Sequence, residues 1–162
     1  DNFSLPDTNG TTHTLESLKG TKGAAVIFLS AQCPVVQDYN QRISEIAAAY
    51  KAKGINFIGI NSNVTESADW VKSNAAENYK FPVLIDKNNV LADKLGALVT
   101  PEVYYVDAGR VLVYHGAIDN HRAGTNITEH YLKGAFDLFL AGQKLTRTTA
   151  KAFGCGIKRV TE

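Results

Sequence analysis

Hydrophobic positions change their spacing several times along the chain, and each change marks an element. Ala24 to Leu29 is a short unbroken apolar run, the pattern of a strand buried on both faces. From Pro34 the period lengthens. Val36, Tyr39, Ile43, Ile46, Ala47 and Tyr50 recur at three- and four-residue steps and Gly54 supplies a stop, so a long amphipathic helix is predicted. Ile55 to Ile60 repeats the buried-strand pattern, and Thr65 is placed to cap a helix carrying Trp70, Val71 and Ala75. Phe81 to Ile85 reads as a third strand whose Pro82 suits an edge or an entry. Val90 to Leu95 reads as a short helix ending near Gly96. Val103 to Val106 and Val111 to Tyr114 flank Asp107-Ala108-Gly109-Arg110, a hairpin signal. Thr128 is placed to cap a last helix with Tyr131, Leu132, Ala135, Phe136 and Phe139 on one face.

The order is strand–helix three times, then a hairpin, then a helix. Helical crossovers require parallel strands and the hairpin adds antiparallel ones, so a three-layer α/β domain with a mixed sheet is predicted. The aromatic residues of the helices, Tyr39, Tyr50, Trp70, Tyr131 and Phe136, read as core. Residues 143–162 lack periodicity and read as an irregular tail, so the whole span 1–162 reads as a single domain.

Composition narrows the picture. With 162 residues there is room for one full core, and 44% hydrophobic against 20% charged residues excludes wholesale disorder. A formal charge of +1 without a basic stripe gives no electrostatic case for nucleic acid or a membrane surface. The apolar runs are far too short to span a bilayer. Two cysteines are too few for a disulfide scaffold, so any bridge is a single, specific one. The four histidines show no zinc-like spacing with either cysteine, and neither a metal nor another cofactor is expected. The chain begins at Asp1 and lacks methionine, which fits either a removed N-terminal segment or a piece cut from a longer protein.

Chemistry concentrates at Cys33. It follows the first buried strand, and Pro34 takes the first helical position, where a missing N–H costs nothing. A cysteine there faces unpaired backbone N–H groups and the positive end of a helix dipole, and both favour the thiolate. The alternative is an inert small apolar residue closing a strand.

The segment Phe28-Leu29-Ser30-Ala31-Gln32-Cys33-Pro34-Val35-Val36 followed by a long helix resembles a thioredoxin-fold active site. Thr100-Pro101-Glu102-Val103-Tyr104-Tyr105-Val106-Asp107, with Arg110 to Gly116, resembles that fold's cis-proline loop and hairpin. The opening Phe3 to Asp7, Leu18-Lys19-Gly20, and the insertion between the second and third strands are similar to the redoxin branch. That branch holds the AhpC/TSA peroxiredoxin group and extracytoplasmic thiol reductases. The ending Gly154-Cys155-Gly156-Ile157-Lys158 resembles a redoxin subgroup with a Gly-Cys-x-Ile-Lys motif.

The resemblance implies a thioredoxin-like α/β/α sandwich and a thiol–disulfide oxidoreductase with no prosthetic group. Its partners would be a disulfide-bearing protein, or a peroxide, and a dithiol electron donor. Pro34, Thr100, Pro101, Gly116 and Ala117 would line the substrate surface, with Thr100-Pro101 cis. Val36 stands where thioredoxins carry a second cysteine. Cys33 therefore acts alone or pairs with Cys155 as a resolving cysteine, and a purely structural staple is the alternative for that bond. Lys158 and Arg159 would favour a Cys155 thiolate, or form a solvated basic end. Glu102 is the candidate proton carrier, for which a raised pKa would be the sign, against a solvated loop carboxylate.

A peroxidase is the second reading. Ser30 fits the peroxiredoxin pattern, but Val26 replaces its proline, and Arg42 and Arg110 are poor substitutes for its arginine. A third is a non-catalytic docking module of a larger protein. An exported bacterial location, periplasmic or secreted, is expected, with the cytoplasm left open.

Overall fold

The structure, a computed structural model, describes residues 2–159. The first half runs β1 (Ser4–Pro6), β2 (Thr12–Thr14), α1 (Leu15–Leu18), β3 (Ala24–Leu29), α2 (Pro34–Lys51), β4 (Asn56–Asn61), α3 (Ala68–Asn78) and β5 (Val83–Ile85). After a 3-10 turn (Lys87–Asn89) come α4 (Val90–Leu95), β6 (Val99–Thr100), β7 (Glu102–Val106), β8 (Leu112–Gly116), α5 (Tyr131–Leu140), β9 (Thr149–Ala150) and β10 (Cys155–Gly156).

The main sheet has the order β5-β4-β3-β7-β8-β9. β3, β4 and β5 are parallel, β7 runs antiparallel to β3 and β8 to β7, and β9 joins parallel to β8. The sheet is mixed, as the succession of crossovers and a hairpin predicts. Because strand side chains alternate between faces, the apolar run of β3 feeds two cores. Ala25, Ile27 and Leu29 join one with α2, α3 and α5, whereas Ala24, Val26 and Phe28 join the other with α1 and α4. That division makes the three layers. Phe136 anchors the first core, its ring 4.7 Å from Tyr50, 4.8 Å from Tyr105 and 6.0 Å from Phe57. Among the described residues no helix is long and apolar enough to cross a membrane.

Several sequence expectations need correction. Ser67, not Thr65, caps α3 by accepting from the Trp70 N–H at 3.1 Å, because Thr65 Oγ1 is taken by Gln32 Nε2 at 2.8 Å. Trp70 is 44% exposed, since the buried stripe of α3 is narrow and includes Val71 instead. α5 starts at Tyr131 without a side-chain cap, as Thr128 is held by Asn120 through bonds of 2.6 and 3.0 Å.

The segment 143–162 is the largest departure from the expected irregular tail. It supplies β9 to the main sheet, and β10 pairs antiparallel with β6, Cys155 opposite Thr100 and Gly156 opposite Val99. Neither strand shows in the hydrophobic pattern because each is two residues long. Their order comes from the edges they join. Residues 160–162 lie outside the described residues.

Candidate active site

Cys33 is the N-cap residue of α2, with Pro34 at the helix start, so the local geometry that favours a thiolate is present. The cysteine is buried, and Pro34 beside it is exposed. The loop leading to it is held by Glu66, which no pattern in the sequence singles out. The Glu66 carboxylate accepts from the Ser30 hydroxyl, from the Ala31 N–H at 2.8 Å and from Asn61 Nδ2 at 2.8 Å, with the Gln32 N–H at 3.4 Å. An anionic acceptor serving several donors fixes the three residues before Cys33.

Cys33 and Cys155 form a disulfide across a sequence separation of 122, their Cα atoms 5.9 Å apart. The Thr100–Pro101 bond is cis, and the Thr100 carbonyl oxygen lies 3.7 Å from Cys33 Sγ. The three predicted elements therefore meet: helix start, proline loop and tail cysteine. Thr100 Oγ1 is buried and has no hydrogen-bond partner among the described residues.

The tail is fixed on both sides of Cys155. Upstream, the Phe153 ring lies 6.2 Å from Tyr39 of α2. Downstream, the Ile157 N–H donates to Leu98 O at 3.0 Å, and the Ile157 side chain is buried in the second core. Lys158 N–H donates to Asn63 Oδ1 at 2.9 Å, and Lys158 O accepts from the Val64 N–H at 2.9 Å. Arg159 bonds to Asp93 at 2.5 Å and to the Ala97 carbonyl. Arg159 thus anchors the tail to α4, neither a free thiolate partner nor a solvated end. Asn63 is buried and also donates to Leu29 O at 3.2 Å, tying the end of β3 to the tail. No periodicity or spacing in the sequence marks Asn63.

Glu102 is neither solvated nor on a loop. It sits buried at the start of β7, 2.6 Å from His115 Nε2 and 2.8 Å from the Tyr104 hydroxyl. It accepts from Leu98 N–H at 3.0 Å and Val99 N–H at 3.2 Å. Burial pushes its carboxyl up, but these hydrogen bonds outweigh burial and hold it below the usual range. The sign expected of a proton carrier, a raised pKa, is therefore absent. What the carboxylate does is hold the backbone that leads into β6.

Gly116 and Ala117 close β8, and the tail covers them. Ala117 N–H donates to Ala150 O at 3.1 Å, and a Cβ on Gly116, whose φ is +143°, would stand 1.9 Å from that same oxygen. The two groups a peroxide site would draw on are both engaged. The Ser30 hydroxyl donates to Glu66, and Arg42 pairs with Asp119 at 2.8 Å and with the His121 carbonyl at 2.7 Å. Arg110, in the hairpin turn, reaches Glu16 at 3.5 Å.

Comparison with known proteins gives the family and the fold. The model of the AhpC/TSA family matches residues 1–115. The thiol-disulfide oxidoreductase ResA of Bacillus thuringiensis subsp. konkukian is 31% identical over 114 residues. That match covers 68% of this chain and 64% of the relative. A crystal structure of a hypothetical protein from Sinorhizobium meliloti 1021 is similar over 100% of this chain and 93% of its own, with 32% identity and a TM-score of 0.91. The exposed lipoprotein thioredoxin of Streptococcus pneumoniae strain TIGR4 aligns at a TM-score of 0.65 and 21% identity, over 85% of this chain and 100% of its own, a likeness of fold. The fold is thioredoxin-like.

Proposed function

The chain belongs to the AhpC/TSA family, and from that premise we propose that it is a thiol–disulfide oxidoreductase with Cys33 as nucleophile and Cys155 as resolving cysteine. One observation carries the reading: a cysteine at a helix N-terminus is disulfide-bonded to a second, tail-borne cysteine. The likeness to a protein named thiol-disulfide oxidoreductase supports it. The engagement of Ser30 and Arg42 speaks against a peroxide site.

The reaction runs as two exchanges. In the oxidised protein Cys33 is buried and Cys155 half-buried, so a donor thiolate reaches Cys155 Sγ more readily. Attack forms a donor–Cys155 bond and releases Cys33 as a thiolate, a good leaving group because the helix end stabilises it. A second donor thiolate then attacks that mixed disulfide, leaving the donor oxidised and Cys155 reduced. In the other half, the Cys33 thiolate attacks a protein disulfide, forming a mixed disulfide and expelling one substrate thiolate. Cys155 thiolate attacks Cys33 Sγ, the second substrate thiolate leaves, and the Cys33–Cys155 bond returns. Two electrons pass from donor dithiol to substrate disulfide.

In this scheme Thr100 and Pro101 face the reacting sulfur and Pro34 forms the exposed shoulder beside it, whereas Gly116 and Ala117 lie beneath Ala150 of the tail and do not meet the substrate. Glu102 acts through β6 as a positioning residue, not as a proton carrier. A disulfide built from both cysteines of the chain suits an oxidising compartment, which supports an extracytoplasmic location.

The test is turnover of a protein disulfide by dithiol with wild type, Cys33→Ser and Cys155→Ser. Loss of Cys33 should remove turnover to background. Cys155→Ser should accumulate the mixed disulfide, visible by mass. Full turnover by Cys33→Ser would overturn the assignment.

A further inference from the structure

β10 is a strand added to an edge. Among the described residues the β6 backbone has one strand neighbour, β10, and the two form a sheet separate from the main one. A strand edge left without a partner presents unpaired N–H and C=O groups, and an extended peptide satisfies them. Here the edge lies directly beside the nucleophile, Thr100 O being 3.7 Å from Cys33 Sγ. The tail meets it as a disulfide-bonded peptide would, with its cysteine opposite Thr100 and its sulfur joined to Cys33. The position is demanding at Gly154. There φ is +151°, and a Cβ would stand 1.9 Å from Thr100 O and 3.4 Å from Pro101 Cδ. Glycine alone enters without displacing backbone. Two residues beyond the cysteine, the Ile157 side chain enters the second core with Leu91, Ala92 and Ala97.

We propose that the tail occupies the docking site of the substrate peptide, so that the Cys33–Cys155 bond closes the site and its reduction opens it. The partner segment is an extended strand with glycine immediately before its cysteine and an aliphatic residue two positions after. This rests on the oxidoreductase reading above and adds to it the ligand and the order of events. While substrate is paired to β6, β10 cannot be. Cys155 reaches the mixed disulfide only as the substrate strand leaves, and the returning tail, tethered and therefore at high effective concentration, completes the ejection. Electron balance is that of the two exchanges already given.

Hydrogen exchange on the full chain reads the opening without reference to turnover. The amides of Val64, Ile157 and Lys158 bond across the tail seam, to Lys158 O, Leu98 O and Asn63 Oδ1. They should exchange at least about tenfold faster after reduction by dithiothreitol, while amides of β7 stay protected. A second probe is a synthetic peptide copying residues 152–159 with serine for the cysteine. It should bind reduced protein at least about tenfold more tightly than oxidised protein, and a copy with alanine for the first glycine should lose about tenfold or more in affinity. Gly154→Val in the full chain should dislodge the reduced tail and improve peptide binding to the reduced protein, while the intact disulfide keeps the oxidised site closed. Unchanged exchange on reduction, or equal binding to both states, overturns the proposal. If the site opens and binds the peptide but no disulfide is turned over, the oxidoreductase reading fails, and what stands is a strand-docking edge that the tail covers and reduction uncovers. If disulfides are turned over with the tail still protected, this one fails alone.

Discussion

The two cysteines reach one bond from opposite kinds of chain. Cys33 is placed locally: a strand buried on both faces ends, a proline opens an amphipathic helix, and the cysteine between them is its N-cap. Cys155 is placed by distant partners. Its strand is two residues long, and its neighbours are fixed by Leu98, Asn63, Asp93 and Tyr39, from three separate parts of the chain. The family match divides the same way, covering residues 1–115 and stopping short of the tail. The difference teaches that the helix-end setting of Cys33 lies within the part of the chain that the family match covers, whereas its closure depends on contacts of the tail beyond that match. Changes that spare one side and damage the other make the contrast measurable.

The largest expected effect is on the tail side. A bridge closing a loop of 122 residues contributes about 5 kcal/mol in the chain-entropy account. Cys155→Ser, or reduction of wild type, should lower the thermal midpoint by about 10–20 °C for a chain of this size. Calorimetry of oxidised wild type, reduced wild type and the variant checks this. A shift of only a degree or two would mean that the remaining contacts hold the tail unaided, and the contrast between local and distant placement would lose its energetic basis.

On the nucleophile side the corresponding change is Glu66→Ala. It strips the acceptor from Ser30, Ala31 and Asn61 and leaves buried donors unpaired, at about 1–3 kcal/mol. The reduced variant should also alkylate at Cys33 about tenfold more slowly, because the loop no longer holds the sulfur at the helix end. Glu66→Gln keeps one acceptor oxygen and should recover most of both losses. If Glu66→Ala loses stability while Cys33 reacts at the wild-type rate, Glu66 is a fold residue with no hold on the nucleophile.

Much of the Cys33 side was legible because its signals are periodic or local. The β3 run, the spacing from Val36 to Tyr50, and Pro34 after Cys33 each follow from the geometry of one element. The hairpin around Asp107 to Arg110 belongs to the same class. Glu66 and Asn63 were not legible. Apart from the Asn61–Glu66 bond, each acts through hydrogen bonds to residues some 30 or more positions away, and a lone carboxylate or amide carries no mark of what it will meet. Trp70 failed for a related reason: an aromatic residue at helical spacing is buried only where something covers that face. Glu102 was singled out from the family pattern, but its surroundings, supplied by His115, Tyr104 and the Leu98–Val99 backbone, decide its protonation.

That carboxylate gives the smallest and most discriminating effect, because it joins the two sides: it lies on β7 and holds the segment on which β10 docks. Its folded-state pKa is lowered. Such a group adds stability that is fully present above the unfolded carboxyl pKa of about 4.3 and is lost as pH falls through the folded value. Wild type should therefore show a steeper loss of stability below about pH 4.3 than Glu102→Gln, whose amide does not titrate. The amide oxygen can still accept from Leu98 and Val99, so near neutral pH the variant should lose about 1–3 kcal/mol, the cost of imperfect pairing with His115 and Tyr104. Urea unfolding of both proteins across the acid range separates the curves. If they run parallel below pH 4.3, the hydrogen bonds do not favour the ionised form. In that case the buried carboxyl takes up its proton at a higher pH, as a proton carrier in the exchange reaction would.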